Sequence, residues 1–188
     1  MDAVNQLAPL ADLFGEALAR LPAIGGHPGR GRWQWSAARG RTITTRVIRI
    51  DVNPGYLAAT RERFPDLRGL ELLHADLEHD AIKTEPVALV HAALVFEYAG
   101  TGRCPDSAVS LVAPEGHLSV VLQIPTEGRE AVTPSGYPSM NRLADGFSFI
   151  DPHRLRRLLA QQDLRLTHQS RLALSTGKTF WSGYFERK

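Results

Sequence analysis

The sequence predicts an α/β fold of the Rossmann-like type, a doubly wound and mainly parallel sheet that ends in an antiparallel hairpin. Short apolar runs alternate with helical patterns along the chain, which is typical of a parallel sheet covered by helices on both faces. The first two of these runs are followed by an aspartate just past the strand end. The chain closes with two β-rich runs joined by Ser-Thr-Gly, the pattern of a hairpin.

The helices are predicted from the spacing of apolar residues and from the residues at which each helix begins. Leucine and alanine at helical spacing predict an amphipathic N-terminal helix within residues 1–21, which ends before Pro22. A second helix begins at Pro54, a residue suited to the first turn, and extends through Phe64. A third has Asp151 as its N-cap and Pro152 at its first position.

The strands are predicted from runs of apolar and β-branched residues and from the turn residues on either side of them. Before the hairpin they are predicted, in order, at Val47–Ile50, Leu70–His74, about Val87–Ala92 and, after the turn "APEG", at 116–124. The hairpin comprises residues 164–174 and 178–187. Residues 126–147 are rich in Pro, Gly and Ser and are predicted to form a loop or partial lid, whose Tyr137, Met140 and Phe147 face a ligand pocket or lie on a plain surface loop.

Bulk composition excludes several classes of protein. The chain has 188 residues, 43% apolar and 22% charged, which suits one soluble domain spanning 1–188 and excludes disordered and collagen-like chains. No apolar run approaches the ~20 residues of a membrane-spanning helix. The N-terminus lacks the basic and apolar regions of a secretory signal. The single cysteine, Cys104, forms no internal disulfide. We therefore expect a cytoplasmic protein.

Five arginines, at positions 30, 32, 39, 41 and 46, lie in or beside an irregular basic segment, residues 25–46. They could contact phosphate, or they could be solvated on a surface loop. Because the net charge is only +2 and no nucleic-acid-binding module is recognisable, we expect neither a nucleic-acid nor a membrane partner. The sequence does not predict the oligomeric state, and His117 and His168 lack the spacing of metal ligands, so no metal site is predicted.

The chain resembles the class I S-adenosylmethionine-dependent methyltransferases over about residues 21 to 188. The resemblance rests on "VIRIDVNPGYL", "LLHADLE", "VALVHAALVFEY", "LVAPEGHLSVVLQ" and "GKTFWSGYFER". It implies the strand order 3-2-1-4-5-7-6 and S-adenosylmethionine as the cofactor. It further implies that Asp51 holds the ribose hydroxyls and that Asp76, with the backbone amide of Leu77, reads the adenine. Val52 and Ala92 complete the expected cofactor-binding residues.

The expected catalytic residues follow the strand of residues 87–92, where the family faces its methyl acceptor. Glu97 is expected to act as a general base, and Tyr98 to orient the acceptor or to close over the sulfonium by cation–π contact. Each also has a structural interpretation, a solvated Glu and a half-buried Tyr capping the sheet. An aspartate after a strand is likewise often a turn former or helix cap, although two at matching strand ends favour the binding role.

The sequence departs from the family at its first strand and glycine-rich loop. Gly25, Gly26, Gly29 and Gly31 are present, but no apolar strand precedes them. This predicts a gap in the sheet between the strands at Val47 and Val87. Because tryptophan has one codon, the DNA of "RWQW" read one base later encodes Gly-Asn/Ser-Gly. One hypothesis is therefore that Gly25 to about Arg41 is a frameshifted copy of the family's motif, and the rival is natural divergence.

The predicted function is methyl transfer to a small-molecule acceptor, impaired in this chain by the altered loop. The absence of an "NPPY"-type signature disfavours DNA adenine and protein glutamine as acceptors. Two other classes stay open. One is a non-catalytic interaction module that retains the fold. The other is a nicotinamide-dependent oxidoreductase, which the hairpin and the lack of a GxGxxG motif after a strand disfavour.

Overall fold

The computed structural model describes residues 7–20, 45–132 and 146–188. The altered segment of residues 25–41, where the family has its first strand and glycine loop, and most of the predicted lid lie outside these ranges. The helices are α1 (Leu7–Ala19), α2 (Pro54–Arg63), α3 (Phe96–Ala99), α4 (Cys104–Ser110) and α5 (Pro152–Ala160). The strands are β1 (Val47–Asp51), β2 (Leu70–His74), β3 (Val87–Ala93), β4 (Val112–Ile124), β5 (Leu164–Ala173) and β6 (Thr179–Arg187).

The described strands form two sheets. The first pairs β1 with β2 in parallel, and the second has the order β3-β4-β6-β5, with β3 and β4 parallel and the other two pairs antiparallel. In the predicted order 3-2-1-4-5-7-6, the first sheet is consistent with strands 3-2 and the second with strands 4-5-7-6. Strand 1 of that order would join the two sheets. It falls on residues outside the described ranges, so its disruption stays a prediction. Both antiparallel pairs involve β6 of the predicted C-terminal hairpin, and the two other described pairs are parallel.

Within the described residues, the two sheets are separated between β1 and β3. A cavity of about 150 Å³ lies there, lined by Ile48 and Ile50 from one strand and by Leu89, His91 and Ala92 from the other.

Strand β4 is longer than predicted because the turn "APEG" lies inside it. Val87 pairs with Val112, yet the next pair is Leu89 with His117, so the intervening residues of β4 bulge out of the ladder. Glu115 has a positive φ of 58°, a conformation that L-residues seldom adopt outside turns. The predicted turn is therefore an interruption within one strand.

Helices cover both faces of the four-stranded sheet. On one face Leu118, Val120 and Leu122 of β4 pack with Leu155 and Leu159 of α5 in the larger core cluster, which α4 also joins. On the other face Val121 packs with Phe180 and with Leu13 of α1. This alternation along β4 follows from the two-residue period of a strand and confirms the doubly wound arrangement for this sheet.

The loop before β2 is held against the start of β1. The Val47 amide donates to the Gly69 carbonyl at 2.9 Å. Gly69 has a φ of +76°, and a Cβ added there would lie 2.3 Å from the Thr45 carbonyl oxygen. Only glycine therefore fits this position without strain.

Candidate functional site

The candidate site lies at the carboxyl ends of the parallel strands. Asp51 ends β1 and pairs with His74, which ends β2, so the acids that follow the two strands share one edge. Glu78, just beyond β2, accepts from the amides of Arg103 at 2.9 Å and Cys104 at 2.7 Å. These bonds tie the edge of β2 to the start of α4, close to the residues that follow β3.

Asp51 retains hydrogen-bonding capacity at the end of β1. Its Oδ1 accepts from the Asn53 amide at 2.9 Å, and its Oδ2 pairs with Arg49 at 3.1 Å. A carboxylate offers about four acceptor positions, and these contacts use two of them. The neighbouring Val52 leaves 64% of its surface exposed. A charged acceptor and an open apolar surface therefore adjoin at this strand end.

The Asp76 carboxylate is engaged within its own turn. Oδ1 accepts from the Glu78 amide at 2.8 Å, and Oδ2 lies 3.0 Å from His79 Nδ1. These bonds lower the pKa of Asp76 and keep it charged. Leu77, which follows it, packs against the larger core cluster. Asp76 therefore stabilises its own turn. A ligand at this position would bind to its remaining lone pairs and to the Leu77 backbone.

Glu97 is the buried acid of the site. Its side chain is 1% exposed, and burial raises its pKa to about 7 despite the bond that it accepts from the Gln123 amide. That bond joins Oε1 to the backbone nitrogen at 2.7 Å. Oε2 is buried as well and has no hydrogen-bond partner among the described residues. The interpretation of Glu97 as a solvated side chain was therefore wrong.

Tyr98 belongs to a group of three aromatic rings. Its ring meets Phe147 edge to face at a centroid distance of 5.4 Å, and Phe147 meets Phe149 in the same way at 5.2 Å. Between the two phenylalanines, the Ser148 amide donates to the Glu97 carbonyl at 2.8 Å. We call Tyr98, Phe147 and Phe149 the aromatic wall. The end of the predicted lid and the residues that follow it therefore contribute directly to the surroundings of Glu97.

Two other residues singled out by the sequence lie in or beside β3 and β1. Ala92 is 4% exposed, within β3, and lines the cavity beside β1. Arg46 is the one described member of the arginine group. Its guanidinium donates to both carboxylate oxygens of Glu71, at 2.6 and 2.8 Å, and also to Thr84 and to the Glu85 carbonyl. Its guanidinium thus fastens β1 to β2 and to the segment before β3.

Three of the described histidines make contacts within the fold. His91 bonds Ser119 Oγ at 3.1 Å, and burial lowers its pKa to about 4, so it is neutral in the fold. His117 stacks on Tyr184 at 5.0 Å, and Arg20 bonds His168 at 2.8 Å. No group of three or more potential metal ligands occurs in the part of the chain that the structure describes.

Sequence reasoning missed two residues that shape the site. Gln123 presents its amide to Glu97, and its side chain donates to the Ala131 carbonyl at 2.8 Å. It is the polar residue that interrupts the apolar run of β4, which was an available signal. Glu78 gave no signal, because the amides that it accepts from lie about 25 residues further along.

Comparison by sequence matches this chain to no family model and to no curated protein. Comparison of structures shows that it has the fold of the class I S-adenosylmethionine-dependent methyltransferases. The N-methyltransferase NodS from Bradyrhizobium japonicum WM9, in complex with S-adenosyl-L-homocysteine, superimposes with a TM-score of 0.61 and 16% identity, over 95% of this chain and 88% of NodS.

Two further structures support the same fold. An S-adenosylmethionine-dependent methyltransferase from Mesorhizobium loti matches with a TM-score of 0.60 and 16% identity, over 77% of this chain and 82% of that one. LepI, crystallised with S-adenosylhomocysteine and a substrate analogue, matches with a TM-score of 0.52 and 19% identity, over 76% of this chain and 36% of LepI. Separately, none of the described helices combines the length and the apolar character needed to traverse a bilayer.

Proposed function

We propose that this chain is an S-adenosylmethionine-dependent methyltransferase that acts on a small molecule. The observation that supports it most directly is that the Asp51 carboxylate and the exposed Val52 side chain lie next to each other at the carboxyl end of β1, in the fold of that enzyme class. Ligands of open α/β sheets bind at this edge. The similar proteins NodS and LepI were crystallised with S-adenosylhomocysteine, which is consistent with the same cofactor here.

The described residues fit the nucleoside part of the cofactor. The open lone pairs of Asp51 can accept from both hydroxyls of a ribose, and the exposed side chain of Val52 offers an apolar contact for a purine ring. We assign the adenine amine to the remaining lone pairs of Asp76 and to the Leu77 backbone. Ala92, small and buried at the neighbouring strand, lets the cofactor approach β3 closely.

When bound, the cofactor supplies an activated methyl group, so that the acceptor's lone pair forms the new bond while the carbon–sulfur bond breaks toward sulfur. The protein positions the acceptor and receives its proton. Glu97 suits the second task because a carboxyl with a pKa of about 7 is partly ionised at neutral pH. Tyr98, with 41% of its surface exposed, contacts the acceptor beside it.

The remaining expectations belong to the same proposal. We propose a single domain over residues 1–188 that works in the cytoplasm without nucleic-acid or membrane partners. Cys104 is buried and free, and burial raises its pKa to about 12, so it stays a thiol, as suits a reducing compartment. The altered glycine loop is proposed to weaken cofactor binding.

The experiment is a calorimetric titration of the purified full chain with S-adenosylhomocysteine. A second protein has Gly25–Arg41 replaced by the apolar strand and glycine loop that the shifted reading frame encodes. Binding by both proteins at micromolar strength supports the methyltransferase and contradicts the impairment. Binding by the replaced protein alone supports both parts of the proposal. Binding by neither contradicts the proposal and favours the non-catalytic interaction module.

A further inference from the structure

A row of polar side chains crosses the face of the four-stranded sheet that α1 covers. His91 of β3 pairs with Ser119 of β4, which pairs with Tyr184 of β6. Tyr184 in turn pairs with His168 of β5. Residues paired in this way project from the same face of a sheet. We call these four residues the polar row. A sheet face beneath a helix is ordinarily apolar, so the row weakens the attachment of α1.

Helix α1 contacts the two ends of the polar row. The Phe14 ring lies 4.8 Å from the ring of His91, and Arg20 Nη2 lies 2.8 Å from His168 Nε2. A cavity of about 10 Å³ lies between α1 and the two middle residues of the row. That volume is at the lower limit of what one water molecule needs. The middle of the row is therefore covered by α1 without being tightly packed against it.

The polar row is incompletely hydrogen-bonded while α1 is docked. The Tyr184 hydroxyl is buried without a hydrogen-bond partner among the described residues, and so are both ring nitrogens of His117. His117 lies beside the row, with its ring stacked on that of Tyr184 at a centroid distance of 5.0 Å. Buried polar atoms without a partner cost free energy that water would recover. Admission of water to this face is therefore favourable for these groups.

The apolar attachment of α1 is separate from the main core. Leu13 joins Val121 and Phe180 in the smaller of the two described core clusters. Leu155 and Leu159 of α5, by contrast, are fully buried in the larger cluster. Segments with fewer buried contacts open at a lower free energy than the core. The contacts of α1 can thus be broken while those of α5 remain.

We propose that α1 is a detachable strap, which lifts from the four-stranded sheet while the sheet and α5 stay folded. Leu10 of α1 packs in the same cluster as Ala93 and Leu94, the residue that ends β3 and the one that follows it toward Glu97. Release of α1 uncovers these residues and the polar row. Glu97 is 1% exposed, so a molecule that exchanges a proton with it needs a local opening. This use of the strap rests on the proposed function, whereas the opening itself does not.

Amide hydrogen exchange of the full chain, followed by NMR at increasing subdenaturing urea, measures the opening. The relevant α1 amides are those from Ala11 onward, which have partners within the helix. Their protection should be at least about tenfold lower than that of the β4 amides and should depend less on urea, because a partial opening exposes less surface than global unfolding. Equal protection and equal urea dependence would mean that α1 opens only with the whole domain, and would overturn the proposal.

Two substitutions distinguish release of the strap from fraying of the helix. Tyr184→Phe removes the unpartnered hydroxyl and retains the ring, so it should raise the protection of α1 about fivefold or more. Tyr56→Phe, at an exposed ring on α2, is its control and should change nothing. Leu122→Val weakens the larger cluster and should lower the protection of β4 but not that of α1. Unchanged α1 protection in Tyr184→Phe, or an equal loss in both elements in Leu122→Val, would contradict separate release.

Thiol labelling tests whether release uncovers the sheet. Val121→Cys places a thiol at a position that is 0% exposed and packed with Leu13. The native Cys104, also 0% exposed but in the larger cluster, is the internal control. Position 121 should be labelled at least about tenfold faster than Cys104, and Tyr184→Phe should slow that labelling as much as it slows exchange in α1. Equal labelling rates at the two positions would overturn the proposal.

The outcomes separate this inference from the proposed function, because none of these measurements needs cofactor or acceptor. If S-adenosylhomocysteine fails to bind while α1 opens separately, the methyltransferase proposal fails and the strap stands. If S-adenosylhomocysteine binds and α1 opens only with the domain, the strap alone fails. Ser119→Cys, at a 4% exposed position in the polar row, repeats the labelling if Val121→Cys does not fold. Circular dichroism establishes that each variant is folded.

Discussion

The Glu97 carboxylate takes the place of the Leu94 carbonyl in the ladder between β3 and β4. The Leu94 amide still donates to the Val121 carbonyl at 2.9 Å, and a continuing parallel ladder would next bond the Gln123 amide to the Leu94 carbonyl. Leu94 has a φ of 57°, so the chain turns away there. The Gln123 amide donates to Glu97 Oε1 at 2.7 Å instead. A catalytic candidate is thus held in place by the sheet itself.

Glu97 predicts how stability depends on pH. Its pKa is about 7 in the fold against an ordinary 4.5, so between these values the native state retains a proton that the unfolded chain releases. The free energy of unfolding should therefore fall as pH rises from about 4.5 to 7 and level off above, by a total on the order of 3 kcal/mol. Glu97→Gln should lack this contribution. Urea unfolding of both proteins at pH 5 and pH 8 measures it.

Asp76 and Glu78 have lowered pKa values, so their contribution to the free energy of unfolding rises with pH. Both residues are present in the unsubstituted chain and in Glu97→Gln. The difference between the two pH profiles therefore isolates Glu97. Glu62→Gln should follow the unsubstituted chain. The same profile in Glu97→Gln as in the unsubstituted chain would contradict the assignment.

Asp51 predicts the strength of cofactor binding. Asp51→Asn removes the charge that accepts from the ribose hydroxyls while retaining one acceptor oxygen, and affinity for S-adenosylhomocysteine should fall at least about tenfold. Calorimetry measures the change, on whichever of the two proteins described above binds. Asp66→Asn, at an exposed position after α2, is the matched control. Equal losses in both variants would show that net charge, rather than a contact by Asp51, governs binding.

Gly69 and Gly128 form a matched pair for backbone strain. Both have a positive φ, at +76° and +69°, but an added Cβ meets the Thr45 carbonyl at Gly69 and nothing within 4 Å at Gly128. Gly128→Ala should cost about 1 kcal/mol for the conformation alone. Gly69→Ala should cost a further 1–3 kcal/mol or so for the overlap. Chemical denaturation compares them, and similar losses would mean that Thr45 moves aside freely.

Asp151 predicts the stability of α5. Its side chain accepts from the His153 amide at 2.9 Å as the N-cap, and Asp151→Ala should cost about 1 kcal/mol. Asp151→Ser retains a capping oxygen and should recover most of that loss. Thermal unfolding of the three proteins measures the difference. Equal stability of the Ala and Ser variants would show that the cap contributes nothing here.

Local sequence signals predicted those parts of the fold that neighbouring residues determine. Pro54 marks the start of α2, and the cap Asp151 followed by Pro152 marks the start of α5. The strand ends at Asp51 and His74 follow the apolar runs. The short helices α3 and α4 were not predicted. The segment of α4 has a weak helical pattern, and its first amides are satisfied by Glu78 from a distant part of the chain.

The positions of the candidate residues along the chain could be predicted from the sequence, but their arrangement could not. The positions of Asp51, Asp76 and Glu97 after successive strands follow from the sequence. The burial of Glu97 depends on Gln123, and the surroundings of Tyr98 depend on Phe147, in each case through pairings between distant residues that periodicity does not reveal. The roles assigned to these residues stay predictions.

The burial of β1 also has a consequence for cooperativity. Its residues are partly exposed, whereas Val120 and Val121 of β4 are fully buried. Segments with fewer buried contacts open first, and their amides lose protection before those of the core. In deuterium exchange, the amides of Ile48 and Ile50 should therefore exchange faster than those of Val120 and Val121. The strand nearest the proposed nucleoside site would then be among the first parts of the domain to open, and a ligand held by Asp51 would slow its opening.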